Sequence, residues 1–217
     1  MKIEIWADVI CPWCGLGLHR LERALADFPH RARVEIVHHS FQLDPDAPEK
    51  PQPVHEMIKK KYDLDETELH ASTDRIETLA AADDLTPYHV GDNVVGNTSL
   101  AHEMLALAAE DRLSEPAWKR IYRAYFGEQR PIFDVESLVE LGTEIGLDST
   151  AVREALTDRR YRDKVIADGA EAQALGSTGV PFVVIDRRLV VAGAQSIEVF
   201  REALDQAWRE QAQPVVA

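Results

Sequence analysis

Strand-like segments lie near both ends of the chain, and between the ends apolar residues recur at helical spacing. Residues 2–7 alternate in the way that is typical of a β-strand, and residues 33–41 follow the same pattern. Between these two segments, apolar residues recur three or four positions apart, which predicts a helix over residues 15–28. The chain therefore begins with a predicted βαβ unit whose two strands are parallel.

The middle of the chain has helical periodicity almost throughout. A proline-rich connector at residues 44–53 precedes it, and the helical pattern then runs over residues 54–176. Ser114 and Asp134 are predicted N-caps of helices, and Gly176 is a predicted helix stop. No fixed-period repeat is present, which argues against a solenoid. We therefore predict a helical domain in the middle of the chain.

The strand pattern returns near the carboxyl end of the chain. Residues 182–185 and 189–192 are rich in β-branched side chains, and the three polar residues between them predict a β-hairpin. Ser196 is the predicted N-cap of a last helix. The chain therefore ends with a predicted ββα unit.

The two ends complement each other, because neither the βαβ nor the ββα unit makes a complete layered structure alone. Joined in one sheet, they form an α/β fold with helices on both faces. We predict one domain from residues 1–45 plus 177–217, into which residues 46–176 are inserted as an all-helical domain. The 217 residues are sufficient to bury a substantial core.

The chemistry of the chain centres on Cys11-Pro12-Trp13-Cys14, which contains the two cysteines of the sequence. The motif lies where the first strand gives way to the first helix, so Cys11 is placed at a helix N-terminus. There, unpaired N–H groups and the helix dipole favour a thiolate, and Pro12 fits the first helical turn. The alternatives to a redox-active pair are that the two cysteines form half of a metal site or are ordinary buried residues. The βαβ context favours redox chemistry.

Composition narrows the classes of function. The chain carries 38 acidic against 24 basic residues, a formal net charge of -14, which argues against a nucleic-acid partner and an anionic membrane surface. No apolar run approaches the ~20 residues needed to span a bilayer. No secretory pattern precedes the first strand, so we expect a cytoplasmic protein, in which a structural disulfide is disfavoured. The motif offers only two thiols, and the histidines lack ligand spacing, so no metal is expected.

Three motifs resemble the DsbA family of the thioredoxin superfamily, and within it the FrnE-like proteins. Residues 8–14 are similar to their D-x-x-C-P-W-C opening, and residues 97–102 to a helix start. Residues 179–182, followed by residues 193–195, are similar to their cis-proline loop and last turn. The resemblance covers nearly the whole chain. It implies a thioredoxin fold and thiol–disulfide oxidoreductase activity on protein or small-molecule disulfides. FrnE-like proteins are named from a polyketide biosynthesis cluster, which leaves a role in that pathway open.

The resemblance also implies roles for individual residues. Pro181 should follow a cis peptide bond and lie against the cysteines, where Val180 pairs with an extended substrate strand. A plain strand-initiating proline is the alternative. In thiol–disulfide exchange, an exposed Cys11 is the expected nucleophile, and the more buried Cys14 resolves the mixed disulfide. The redox-active Cys11–Cys14 disulfide is then the only redox group, with no tightly bound cofactor.

Several further side chains are weaker candidates. Asp8 hydrogen-bonds the loop, accepts a proton near Cys14, or caps the helix. Asn97, His102 and Gln195 are candidate contacts to substrate or glutathione, although an Asn at a helix start is usually a cap and a helical His usually a packing residue. Trp13 is either a substrate contact or an apolar residue packed on the helical domain.

The sequence alone leaves two other classes of function open. The first is a glutathione-dependent enzyme that resembles the kappa-class transferases and the 2-hydroxychromene-2-carboxylate isomerases. Those enzymes also have a thioredoxin fold with an inserted helical domain, but they carry serine in place of Cys11. Such an enzyme has no use for a resolving Cys14, so the cysteine pair discriminates against it. A chaperone-like binding module is the third interpretation. Exposed apolar faces of the helical domain are expected to serve either a homodimer or a substrate groove.

Overall fold

A computed structural model describes residues 1–62 and 65–211 of the chain. The strands are β1 (Lys2–Ala7), β2 (Glu35–Ser40), β3 (Gln52–Pro53), β4 (Val94–Val95), β5 (Phe182–Ile185) and β6 (Leu189–Ala192). The α-helices are α1 (Pro12–Ala26), α2 (Val54–Tyr62), α3 (Glu66–Ala82), α4 (Ser99–Glu110), α5 (Ser114–Tyr122), α6 (Val135–Glu144), α7 (Ser149–Thr157), α8 (Arg162–Ala174) and α9 (Ile197–Gln211). The predicted carboxyl-terminal segment extends to residue 217, of which residues 212–217 lie outside the described part.

The main sheet joins the two ends of the chain. Its strand order is β2-β1-β5-β6, with β1 parallel to β2 and antiparallel to β5. The β5–β6 hairpin is antiparallel and forms the other edge. Trp6 on β1 lies opposite Phe182 on β5, so strands from the first and last parts of the chain are direct neighbours. The predicted thioredoxin-type α/β fold is confirmed.

The alternation along β1 divides its side chains between two hydrophobic layers. Ile3 and Ile5 belong to the large core cluster that contains Leu21 of α1 and Phe200 of α9. Trp6 points to the other face and joins a smaller cluster with Ala172 of α8. Because side chains alternate along a strand, one short segment can support helices on both faces of the sheet.

The second face of the sheet is covered by α8. The indole N–H of Trp6 donates a hydrogen bond to the carbonyl of Asp168 at 2.9 Å, and α8 packs against β1 and β2. The predicted boundaries assign this helix to the inserted segment, residues 46–176. The boundary at residues 176 and 177 stays a prediction, whereas the packing shows that α8 completes the thioredoxin-like layer.

Local side chains account for some helix ends, but Ser114 does not act as predicted. Asp134 accepts a hydrogen bond from the N–H of Ser137 at 2.9 Å and caps α6 as predicted, and Gly176 has a φ of 87° just beyond α8. Ser114 is not an N-cap, since α5 begins at Ser114 itself and Leu113 holds the capping position. The Ser114 hydroxyl instead lies 3.5 Å from Nδ1 of His38, so a tertiary partner replaces the local one.

The inserted segment also contains the two-residue strands β3 and β4, which pair antiparallel. Such a short ladder leaves no alternating pattern from which it could be predicted. A π-helical turn, Arg123–Gly127, continues α5. None of the helices in the described ranges is both long and apolar enough to cross a membrane.

Candidate active site

The two cysteines lie at the start of α1, directly after β1. Cys11 is the N-cap residue, with extended backbone angles of φ −79° and ψ 113°, and Pro12 begins the helix. The carbonyl of Cys11 accepts hydrogen bonds from the N–H of Cys14 at 3.0 Å and of Gly15 at 3.3 Å. Both cysteines are free thiols. The first sulfur is therefore carried by the residue at which the helix dipole is positive.

The cysteines differ in burial. Cys11 is only 4% exposed and Cys14 is fully buried. The expectation that Cys11 is exposed is wrong for this structure, because the loop that carries Val180 lies over it. The Cys11 Sγ lies 3.8 Å from the Val180 carbonyl oxygen, to which it donates a weak hydrogen bond.

Cys14 is the more buried residue of the pair, as predicted. Burial raises the pKa of the Cys14 thiol well above its usual value, and the neighbouring Cys11 raises it further. The charge of Asp8 acts in the same direction, whereas a hydrogen bond from the Asp8 backbone opposes it. Cys14 is therefore held in its protonated form over the neutral pH range.

The loop before β5 packs against α1. The Val180–Pro181 peptide bond is cis, as the resemblance implies, and Pro181 is buried. A Cβ atom at Gly17 would lie 2.9 Å from Cγ of Pro181 and 3.3 Å from Cα of Ala194. Glycine at position 17 thus allows the proline loop and the turn after β6 to approach the helix that begins with the cysteines.

Asp8 lies in the loop between β1 and α1 and is fully buried. One carboxylate oxygen accepts the N–H of Leu43 at 2.8 Å, and the other lies 3.1 Å from Nε2 of His102. The helix-capping alternative is wrong, since neither partner of the carboxylate belongs to α1. The carbonyl of Asp8 accepts the Cys11 N–H at 3.2 Å, so its backbone contacts the motif directly.

The three predicted substrate or glutathione contacts have structural partners. His102 is fully buried and bonded to Asp8, so the packing interpretation describes it and a direct substrate contact does not. Asn97 Oδ1 accepts the N–H of Ser99 at 2.9 Å, so Asn97 bonds the start of α4, although the N-cap position itself belongs to Thr98. Gln195 is exposed, and its amide donates to the Ala192 carbonyl at 2.8 Å within its own turn.

Trp13 is half-buried and packs against the main hydrophobic core. This matches the packed alternative for Trp13 more closely than a freely exposed substrate contact. Its neighbour Pro12 is also half-buried, and its carbonyl has a partner outside the motif. Both residues between the cysteines are therefore anchored by the surrounding protein.

Sequence reasoning missed two tyrosines at the site. The Tyr88 hydroxyl donates to the Pro12 carbonyl at 2.6 Å, and the Tyr122 hydroxyl donates to the Asp8 carbonyl at 3.0 Å. Burial raises the pKa of both phenols well above the usual value. A side chain at Gly15 would overlap the Tyr88 hydroxyl. Gly15 and Gly17 inside a predicted helix were the signal of close packing that the sequence offered.

On the other face of the sheet, three side chains that could ligate a metal ion have their ligand atoms close together. In the described part of the chain these are His39, Asp168 and Glu171. Lys164 binds both carboxylate oxygens of Asp168 at 3.0 Å, and Arg187 binds Glu171 at 2.8 Å. These cations of the protein already neutralise the carboxylates, so the donor set does not favour a metal ion.

The fold, the cysteine pair at a helix N-terminus and the adjoining proline loop together define a thiol–disulfide oxidoreductase of the thioredoxin-like class. Residues 2–205 match the model of the DsbA-like thioredoxin domain family. The protein belongs to this family. The family assignment agrees with the resemblance seen in the sequence motifs.

Individual relatives support the assignment. The crystal structure of a probable DsbA oxidoreductase from Streptomyces coelicolor has 45% sequence identity and a TM-score of 0.94, covering 100% of this chain and 93% of that chain. YwbO, an uncharacterized protein of Bacillus subtilis (strain 168), is 26% identical over 94% of this chain and 96% of its own. A 2-hydroxychromene-2-carboxylate isomerase, 16% identical with a TM-score of 0.75 over 98% of both chains, shares the fold.

Proposed function

We propose that the protein exchanges disulfides with extended peptide or small-molecule substrates, with Cys11 as nucleophile and Cys14 as resolving residue. The observation that carries the proposal is the 3.8 Å approach of the Cys11 sulfur to the Val180 carbonyl. This contact between the sulfur at the helix N-terminus and the backbone of the proline loop supports the assignment. A substrate strand paired with that backbone brings its disulfide to Cys11.

The proposed exchange has two steps. The Cys11 thiolate attacks one sulfur of the substrate disulfide, a mixed disulfide forms, and the other substrate sulfur leaves as a thiolate. Cys14 then loses its proton and attacks the Cys11 sulfur, which releases the second substrate thiolate. The substrate gains two electrons and the enzyme becomes the Cys11–Cys14 disulfide. The same steps in reverse oxidise a substrate dithiol.

Burial separates the roles of the two thiols. Burial raises the pKa of Cys14, which keeps it protonated and unreactive while Cys11 engages the substrate. Asp8 and His102 hold the loop below the motif through their 3.1 Å contact. We assign Asp8 a positioning role, with a second, electrostatic effect on Cys14.

The loop supports a backbone-based mode of substrate binding. Pro181 has no N–H, and its carbonyl accepts the N–H of Gly193 at 2.8 Å. Hydrogen bonds between the proline loop and a substrate strand would therefore be made by the backbone of Val180, which is half-buried. Recognition through backbone groups tolerates many side chains, so we propose broad selectivity among extended substrates.

Glutathione is the small-molecule thiol that we propose as a co-substrate. A cytosolic disulfide reductase, DsbM from Pseudomonas aeruginosa, was crystallised with GSH and has 21% identity and a TM-score of 0.66 over 96% of this chain. That likeness concerns the fold alone. Support for glutathione in this protein comes from the cysteine pair, since a glutathione disulfide is a small exchange substrate. A cytoplasmic location, a homodimer and a link to polyketide biosynthesis stay predictions.

The test is trapping of the mixed disulfide. Cys14→Ser incubated with glutathione disulfide should gain the mass of one glutathione and lose it again with dithiothreitol. The matched control is the double variant Cys11→Ser/Cys14→Ser, which has no thiol and should gain no mass. Absence of an adduct on folded Cys14→Ser, checked by circular dichroism, would overturn the assignment of Cys11.

The glutathione-transferase alternative predicts a different outcome. An enzyme of that kind conjugates glutathione to an electrophile and needs no second thiol. We therefore expect the wild type to show disulfide exchange and no conjugation of 1-chloro-2,4-dinitrobenzene above the uncatalysed rate. Conjugation that persists in Cys14→Ser would favour the transferase, whereas binding of unfolded chains by the double cysteine variant would favour the chaperone-like module.

A further inference from the structure

A cavity of about 380 Å³ lies beside α1, away from the cysteines. It is enclosed by α1, β2, α5 and the segment at residues 85–88, and neither cysteine nor Pro181 lines it. Cavities of this size are typical of small-molecule sites, whose volumes run from roughly 300 to 1,000 Å³. The cavity is therefore large enough for a bicyclic molecule. The proposed disulfide exchange does not use it.

The inner wall of the cavity is apolar and aromatic. Its apolar side chains are Leu18, Leu85, Pro87, Tyr88, Trp118 and Tyr122. The phenol groups of the two tyrosines are bonded to carbonyls of the active-site loop, so they present ring carbons and not hydroxyls to an occupant. Aromatic faces of this kind favour a planar aromatic molecule.

The charged residues of the cavity are paired with one another. The Lys119 ammonium lies 2.8 Å from a Glu115 carboxylate oxygen and 3.4 Å from one of Glu22. At the rim, the Arg123 guanidinium lies 3.0 Å from a Glu128 oxygen. These pairs are partly exposed and leave no unpaired cation, so an anionic ligand would meet no counter-charge against the apolar inner wall. The cavity therefore favours a neutral occupant.

His38 supplies a polar group inside this apolar space. Burial lowers the pKa of His38 to about 4, so its imidazole is neutral, and its ring stacks on Trp118 with centroids 5.5 Å apart. Nδ1 lies 3.5 Å from the Ser114 hydroxyl, and no residue in the described ranges bonds Nε2. Whichever nitrogen carries the proton, a ligand hydroxyl can satisfy Nε2, because a hydroxyl both donates and accepts.

We propose that this cavity binds a neutral aromatic alcohol of the phenol class, with its ring against Trp118 and its hydroxyl on Nε2 of His38. The site is separate from the cysteine site but touches it through Tyr88. The ring of Tyr88 lines the cavity, and its hydroxyl bonds the carbonyl of Pro12 at 2.6 Å. The occupant therefore contacts a side chain that supports the turn between the cysteines.

The test uses 2-naphthol as the probe and isothermal titration calorimetry of the reduced full-length protein. We expect saturable binding of one molecule per chain. Naphthalene-2-sulfonate has the same rings but a full charge, and it should bind at least about tenfold more weakly. This readout does not depend on thiol chemistry, so its failure would leave the proposed disulfide exchange intact.

Two variants locate the binding site. Leu85→Trp adds bulk to the wall of the cavity and should abolish the binding of 2-naphthol, while His38→Leu removes one hydrogen bond and should weaken it about fivefold. His55→Leu, at an exposed position on α2, is the matched control and should bind like the wild type. Retained disulfide-exchange activity reports that each variant is folded. No saturable binding to the wild type, or unchanged binding to folded Leu85→Trp, would overturn the proposal.

Discussion

The carboxylate of Asp8 and Nε2 of His102 lie 3.1 Å apart, and both side chains are closed off from solvent. Asp8 belongs to the loop that carries the cysteines, whereas His102 is on α4 of the inserted segment. A buried carboxylate is costly unless it is paired and hydrogen-bonded. The contact therefore fastens the insertion to the active-site loop, and it accounts for two side chains whose roles the sequence left open.

Removal of His102 should destabilise the protein substantially. In His102→Leu, the Asp8 carboxylate keeps only the N–H of Leu43 as a partner. We expect the free energy of unfolding, measured with urea, to fall by about 2–4 kcal/mol. His55→Leu, at an exposed position, should change it by less than about 0.5 kcal/mol. An equal effect of the two substitutions would contradict the importance of the buried pair.

Neutralisation of Asp8 should make the Cys14 thiol more acidic. Burial raises the pKa of Cys14 most, the neighbouring Cys11 adds to this, and the charge of Asp8 raises the pKa further. In a Cys11→Ser background, Asp8→Asn should therefore shift the pH titration of thiolate absorbance to lower pH. Asp27→Asn, an exposed position, is the control and should leave the titration unchanged. A shift to higher pH would contradict this electrostatic role of Asp8.

Cys11→Ser should abolish the protein's catalysis of insulin-disulfide reduction by dithiothreitol. The hydroxyl cannot replace the sulfur in the exchange, so we expect the rate to fall to that of dithiothreitol alone. Cys14→Ser should behave differently, because it still forms the first mixed disulfide. The comparison is made by insulin precipitation and by mass spectrometry of the adduct. Full activity of Cys11→Ser would show that another group starts the reaction.

Gly17→Ala should displace the proline loop. The new methyl group would lie 2.9 Å from Cγ of Pro181, which is closer than packed carbon atoms tolerate. Overpacking of this kind costs about 1–3 kcal/mol, and insulin reduction should fall as the loop moves from Cys11. Gly169→Ala in α8 is the matched control, because no atom lies within 4 Å of its Cβ. That substitution should stabilise the helix by about 1 kcal/mol, with unchanged activity.

The stability of the reduced protein should fall at alkaline pH because of Cys14. Burial raises the folded-state pKa of Cys14, so between the unfolded and folded pKa values the native state binds more protons than the unfolded chain. Stability is thus fully present below the unfolded pKa of about 8.5 and is lost as the pH rises above it, by about 1 kcal/mol from pH 8 to 9.5. Cys14→Ala should lack this loss in urea unfolding. Parallel pH profiles of the two proteins would contradict the raised pKa.

Local sequence determined most of the elements of this fold. The alternation in residues 2–7 and the β-branched side chains in residues 182–185 predict strands, and both strands are observed. Asp134 is visible as a cap because its partner, Ser137, is three residues away. The cysteine motif is equally local, since Cys11, Pro12 and Cys14 lie within one helical turn.

Tertiary structure decided what surrounds the motif. The Tyr88 hydroxyl bonds a carbonyl 76 residues away, and His102 meets a carboxylate at a separation of 94 residues. No local pattern encodes such contacts, because they depend on how the insertion is oriented on the sheet. The burial of Cys11 has the same origin, since the loop that covers it comes from Val180, 169 residues along the chain. The sequence by itself therefore determined the reactive pair, whereas only the folded chain decided its burial and its supporting partners, because those depend on contacts between distant segments.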